Sequence, residues 1–190
     1  LASMLGVLLG CLAGYTRRWI DTVLMHIANA MMAVPPLIMI LAARATFPLE
    51  LPPTSPATLL IVIFVILGWA EMACLTRSVV YELREREYVL AAVSVGLPPQ
   101  RILYRHILPN AAPLLIVQIF LMLPNFLLFE TALSFLGVGL QEPEPSWGNL
   151  LAAAGNSTLL HPGQAILLLS PALTIVIFIF GVRLLKDGIK

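Results

Sequence analysis

The chain has 190 residues, 59% of them hydrophobic and only 11% charged, with a mean hydropathy of +0.95 and a net charge of +1. Soluble domains carry about a quarter charged residues, so this composition excludes a soluble globular domain, and the near-neutral balance offers no nucleic-acid surface. There is no glycine-rich phosphate loop and no CxxC or HExxH motif, which argues against an ATPase or metallohydrolase acting alone, and no cofactor is expected.

Residues 1–15 are apolar from the start. A helix needs ~20 such residues to cross the ~30 Å hydrocarbon core, and no basic stretch precedes them as in a signal peptide. The run therefore reads as the later part of a span whose beginning lies before residue 1. Arg17 and Arg18 follow, then four full-length spans at 22–43, 57–80, 111–136 and 164–185. Pro48, Pro52, Pro53 and Pro56 punctuate the chain after the second span, and Gly137, Gly139, Pro143 and Pro145 after the fourth. Barrel strands would alternate polar and apolar residues, and these runs do not. The expected fold is an all-α integral membrane protein, a polytopic helical bundle with five spans in this chain. Cys11 and Cys74 both lie inside apolar runs and read as small core residues rather than a disulfide.

Lys and Arg set the orientation. Arg17 and Arg18 lie between the first two spans. Arg77, Arg84, Arg86, Arg101 and Arg105 cluster between the third and fourth, and Arg183, Lys186 and Lys190 follow the last. The other two loops carry only Glu50, Glu142 and Glu144, and Arg44 alone sits at an outer helix end. The 77–109 segment and the C-terminus are therefore expected in the cytoplasm, and the 44–56 and 137–163 loops outside.

The 82–109 segment is the one long polar stretch. It reads as two short helices around a corner. The first runs from about Glu82, with Glu82 and Arg86 at a favourable i,i+4 spacing and Leu83, Leu90, Val93 and Leu97 as its apolar face. Ala91, Ala92, Ser94 and Gly96 leave room for close approach of another surface, and Gly96 suits the left-handed position after a helix. Pro98 and Pro99 restart the chain. The second helix carries Ile102, Leu103 and Ile107, with Pro109 as its end, and Arg101 and Arg105 repel one another unless an acidic partner relieves them. By physics alone this is equally an amphipathic loop lying on the bilayer.

The order of residues goes further. Glu87-Tyr88-Val89-Leu90-Ala91-Ala92-Val93-Ser94-Val95-Gly96, continuing to Arg105-His106-Ile107-Leu108-Pro109-Asn110, resembles the EAA loop of ABC-transporter permeases. Ala91, Ala92, Gly96, Leu108 and Pro109 match that pattern, while Leu90 stands in place of its Glu and His106 in place of its Ile. Ala132 to Leu140, leading into Pro145-Ser146-Trp147-Gly148-Asn149-Leu150-Leu151, and Gly14-Tyr15 with Trp19-Ile20-Asp21-Thr22, are similar to the dipeptide, oligopeptide and nickel branch. The resemblance implies one transmembrane permease domain over 1–190, six spans in the intact protein, and a non-enzymatic subunit in a bacterial or archaeal plasma membrane. It implies separate ABC ATPase subunits, a second permease, an external solute-binding protein, and peptides or nickel complexes as solutes. The implied coupling residues are Glu87, Leu90, Ala91, Ala92, Gly96, Arg101, Arg105, His106, Ile107, Leu108 and Pro109.

Glu71 and Glu130 lie inside spans, and an unpaired charge there must face the bundle interior, a cavity or a partner. Each reads either as a pathway-lining group or as a protonated or hydrogen-bonded packing residue. His26 reads as interfacial; Trp147 and His161 read as external, with Trp147 an interfacial anchor rather than a substrate contact. Pro35, Pro36, Pro124 and Pro171 interrupt helices as kinks or hinges. The rival to an ATP-driven permease is a secondary transporter or channel that uses Glu71 and Glu130 as ion sites. A membrane-embedded enzyme comes third, for want of a catalytic constellation.

Overall fold

The computed structural model describes residues 1–15, 18–46, 54–140, 144–156 and 165–188. Among them every regular element is helical: α1 Ala2–Tyr15, α2 Arg18–Ala33, α3 Pro36–Thr46, α4 Thr54–Arg84, α5 Glu87–Ser94, α6 Pro99–Ile102, a π-helical turn Leu103–Ile107, α7 Leu108–Phe135, α8 Trp147–Asn156 and α9 Ala165–Asp187. Three helical stretches are long and apolar enough to cross a membrane: Ala57–Arg84, Pro99–Phe135 and Leu169–Asp187. A fourth is reached if the broken pair Trp19–Ala33 and Pro36–Ala42 counts as one span, and α1 is a shorter apolar helix. Over its described residues the chain is thus all-helical, with the long apolar helices of a multi-pass membrane protein.

The predicted span at 22–43 is two helices. Pro35-Pro36 separates them, because a residue before proline is pushed out of the helical region and Pro36 suits the first turn of α3. Pro124 and Pro171, the other prolines read as kinks or hinges, lie inside continuous helices. α7 runs unbroken through Pro109, Pro113 and Pro124, and α9 through Pro171, as spans tolerate where neighbouring groups satisfy the freed carbonyls. Pro109 does not end a helix. The wider π turn before it absorbs the missing N–H, and the Asn110 side chain donates to the His106 carbonyl at 2.6 Å.

The chain divides into two compact units, and α4 and α7 each contribute to both. The first comprises Leu1–Pro35 and Val65–Ile119. Its spine is α1 against α4. Between lipid-embedded helices there is little hydrophobic drive to associate, so small residues that admit close approach decide the packing. Gly6, Gly10 and Gly14 form such a stripe at i,i+4 spacing. A Cβ at Gly6 would stand 2.5 Å from Met72 Cβ, one at Gly10 2.6 Å from the Ala73 carbonyl, and one at Gly14 2.8 Å from Val80 Cγ1. Ala13, Met25, Ala28, Trp69, Ala70 and Ala73 then close a core shared by α1, α2 and α4. Cys11 is a buried free thiol and Cys74 a half-buried one.

The second unit comprises Pro36–Phe64 and Phe120–Gly188. Here Phe64 stacks on Phe126 with centroids 5.2 Å apart, and Trp147 on α8 packs against Phe178 on α9 at 6.3 Å. Arg17, Glu50, Glu142 and His161 lie outside the described residues.

Candidate functional site

The base of the 82–109 segment is a cluster of charged and aromatic side chains on α1, α2 and α4. Asp21, 5% exposed, accepts hydrogen bonds from Arg77 Nε, from Arg77 Nη2 at 2.7 Å and from the Tyr81 hydroxyl at 3.1 Å. The Arg77 guanidinium also lies 4.7 Å from the centre of the Tyr81 ring. Two turns beyond Arg77, Arg84 donates to the Gly14 carbonyl at 2.9 Å and lies 5.6 Å from the ring centres of both Tyr15 and Tyr81. The end of α1, the start of α2 and the end of α4 are thereby tied at one point.

α4 continues to Arg84, so Glu82 belongs to it and not to the loop's first helix, which begins at Glu87. The expected Glu82–Arg86 pair forms at 2.6 Å, with both side chains exposed. Such a pair is worth under ~1 kcal/mol. Arg86 is extended at the break, and Glu87 places a negative charge in the first turn of α5, where the helix dipole favours it. At the other end Leu97 N–H bonds to the Ala92 carbonyl at 3.2 Å and Gly96 N–H to Val93 at 2.9 Å. This closure requires the left-handed residue that Gly96 supplies at φ +82°. Pro98 is extended and Pro99 opens α6.

The buried face of α5 differs from the expected one. Val89 and Ala92 are buried with Ile102, Ile107, Val80 and Cys11, flanked by Leu83 and Leu97, while Leu90 and Val93 are about half exposed. The break at Glu85–Arg86 takes Leu83 out of register with α5, so the expected stripe does not form. Burying one Val or Ile from water is worth about 1.5–3 kcal/mol, which makes Val89, Ile102 and Ile107 an adequate anchor. The corner is fastened to α1 and α4 from beneath. On its outer side Glu87, Tyr88, Leu90, Ala91, Val93, Ser94, Val95 and Gly96 are exposed, with Tyr104, Arg101, Arg105 and Pro109 beyond them. Val95 is 80% exposed. Ala92 and Ile107 are thus internal fasteners, and His106 and Leu108 are half-buried. A cavity of about 650 Å³ lined by Leu83, Glu85, Arg86, Glu87, Tyr88 and Asn110 opens beside α5.

The two intramembrane carboxylates have unlike surroundings. Glu71 on α4 is exposed and accepts one hydrogen bond, from Gln118 Nε2 at 2.8 Å. Glu130 on α7 accepts from the Ser134 hydroxyl at 2.7 Å and the Ser146 hydroxyl at 2.6 Å. Ser134 Oγ in turn receives Leu140 N–H at 3.0 Å, and Ser146 Oγ caps α8 by receiving Gly148 N–H at 3.0 Å. A Cβ at Gly148 would sit 2.3 Å from the Thr131 carbonyl, so α8 approaches the end of α7 as only glycine allows. Glu130 is the node of this joint and also lines a cavity of about 370 Å³ with Leu127, Leu140, Pro145, Trp147 and Leu150. His26 is exposed on α2.

Residues 6–189 match the family described as binding-protein-dependent transport system inner membrane component. The chain belongs to this family. Within it, the chain is similar to a putative peptide permease protein of Brucella ovis, 32% identical over all of this chain and 61% of that protein. It is similar to the oligopeptide transport system permease protein OppC of Bacillus subtilis, 32% identical over 98% of this chain and 58% of the relative. It is also similar to the dipeptide transport system permease protein DppC of Alkalihalophilus pseudofirmus, 33% identical over 100% and 59%. The chain therefore spans about three fifths of the length of the curated relatives it matches. The match confirms the resemblance to ABC-transporter permeases, and the family it names is a transport component rather than an enzyme family. The comparisons assign no roles to single residues.

Proposed function

We propose that this chain is a permease subunit of an ATP-driven importer, forming half of the pathway for di- or oligopeptides or related small solutes. Its relatives' names, peptide permease, OppC and DppC, support the solute class. The charge distribution supports the orientation: ten of the eleven Lys and Arg residues fall in the segments assigned to the cytoplasm. Five spans, with the 82–109 corner and the C-terminus inside and the 137–163 loop outside, satisfy that bias.

The observation that carries the mechanism is the two-sided build of the corner. Apolar residues fasten it to α1 and α4 from below, and an apolar surface remains uncovered above. ABC ATPase subunits occupy that surface in this reading, touching Glu87, Leu90, Ala91, Gly96, Arg101 and Arg105. A solute-binding protein delivers solute from outside, and a second permease completes the pore. Any ATP-driven switch in access must arise from contacts that differ between the two states of the ATPase dimer, and a corner fastened to α1 and α4 passes such a difference directly to the spans.

The secondary-transport alternative makes an opposite demand. In proteoliposomes holding the full-length chain and all partner subunits, labelled dialanine uptake is expected to require ATP and to persist when a protonophore collapses the ion gradients. Uptake without ATP that vanishes with the gradient would establish the rival reading.

A further inference from the structure

Glu71 lies midway along the apolar stretch Ala57–Arg84, roughly 20 Å from either end at 1.5 Å per residue. This is the depth at which a charge facing lipid is most costly. Yet its side chain is exposed, with Gln118 donating to it from α7. No ion pair among the described residues includes Glu71, and the sequence has no Lys or Arg from 45 to 76.

The carboxylate is not an isolated polar group. Cys74 and Ser78 follow it at i+3 and i+7, on one face of α4. Cys74 Sγ lies 3.8 Å from Asn29 Oδ1 on α2, and Asn29 is itself exposed. His26, one turn earlier, is exposed as well. On the same helix Ile27, 47% exposed, points nearly opposite to Asn29. α2 thus has one face suited to lipid and another that is not. Polar side chains from α2, α4 and α7 form a continuous seam within the first unit, at a depth where lipid cannot solvate them.

We infer that Asn29, Glu71, Cys74, Ser78 and Gln118 form one wall of the water-filled solute path, with Glu71 as its fixed negative charge. The inference rests on the permease reading and adds the lining and its selectivity. A path whose carboxylate makes no ion pair among the described residues favours solutes bearing a free ammonium group, such as the amino end of a peptide, over acylated ones.

The test uses the full-length chain with its partner subunits, with Cys11→Ala and Cys74→Ala as background and single cysteines at Asn29, Ser78, Gln118 and Ile27. A cationic, membrane-impermeant methanethiosulfonate reagent is expected to modify the three seam positions at least tenfold faster than Ile27→Cys, and dialanine is expected to slow that modification. In parallel, Glu71→Gln is expected to raise the KM for dialanine at least fivefold and to leave that for N-acetyl-dialanine unchanged. Seam cysteines that react no faster than Ile27→Cys, or that form disulfides with the second permease and are shielded from reagent, overturn the assignment. So does an equal effect of Glu71→Gln on both peptides. ATP-driven uptake by the wild-type full-length chain with its partner subunits is measured alongside. Its absence would sink the permease reading, whereas uptake with an unreactive seam sinks only this inference.

Discussion

Gly96→Leu is expected to abolish solute uptake and to reduce sharply the ATPase recovered with the purified chain, whereas Gly96→Ala should lose much less of both. The two substitutions carry the same backbone cost. At φ +82° any residue with a Cβ is strained, by about 1–2 kcal/mol, so both variants should lose similar thermal stability in detergent. They differ in bulk alone. A Cβ at Gly96 meets nothing within 4 Å inside the chain, so the alanine side chain finds open space there and the larger leucine side chain extends outward from an exposed position. If the two variants fail equally, Gly96 acts through conformation and not at a contact.

Asp21→Ala is expected to be among the most destabilising single changes, by about 2–3 kcal/mol. Charged hydrogen bonds contribute about 1.5–3 kcal/mol, and Asp21 accepts two from Arg77 besides the one from Tyr81. The estimate stays below the 3–5 kcal/mol typical of fully buried pairs, because the Arg77 side chain is 33% exposed and regains water when its partner goes. Arg77→Ala should cost a comparable amount, since it strands a carboxylate that is 7% exposed. Unfolding midpoints of wild type, both singles and the double variant give a coupling energy, expected above about 1 kcal/mol for groups in direct contact. A coupling near zero would mean that the cluster does not hold α2 to α4.

Some of this architecture was legible in the residue order and some was not, for physical reasons. Apolar runs locate spans because length and hydropathy suffice to cross a bilayer, and α4, α7 and α9 lie where those runs predict. Pro35-Pro36 marks the α2–α3 break in the sequence, but a proline pair alone does not distinguish a kink within one span from two separate helices. The left-handed glycine at 96 was legible because a helix followed by Val-Gly-Leu-Pro-Pro leaves one residue able to reverse the chain. Pro109 misled: proline usually stops a helix, and nothing in the local composition announces the π turn that lets α7 continue.

Contacts distant in sequence were the larger loss. In the sequence Arg77 is one more topological charge and Asp21 part of a turn, yet they pair across 56 positions. The spacing of Gly6, Gly10 and Gly14 is a small-residue packing signal, but the partner it packs against lies about 66 positions on and is not visible in the sequence. Glu71 and Glu130 are the same letter in similar apolar surroundings. Only their neighbours separate a node satisfied by Ser134 and Ser146 from a carboxylate on an exposed face.

The central claim is that the exposed side of the α5 corner meets the ATPase. Val95, 80% exposed and adjacent to Gly96, is the position from which to test it. A benzophenone maleimide is attached to Val95→Cys in the full-length chain, expressed with its partner subunits and active in uptake. Photolysis is expected to give one major adduct, with the ATPase subunit, whose yield changes when ATP is trapped by vanadate. An active transporter that yields adducts only with lipid, or none, would contradict the account.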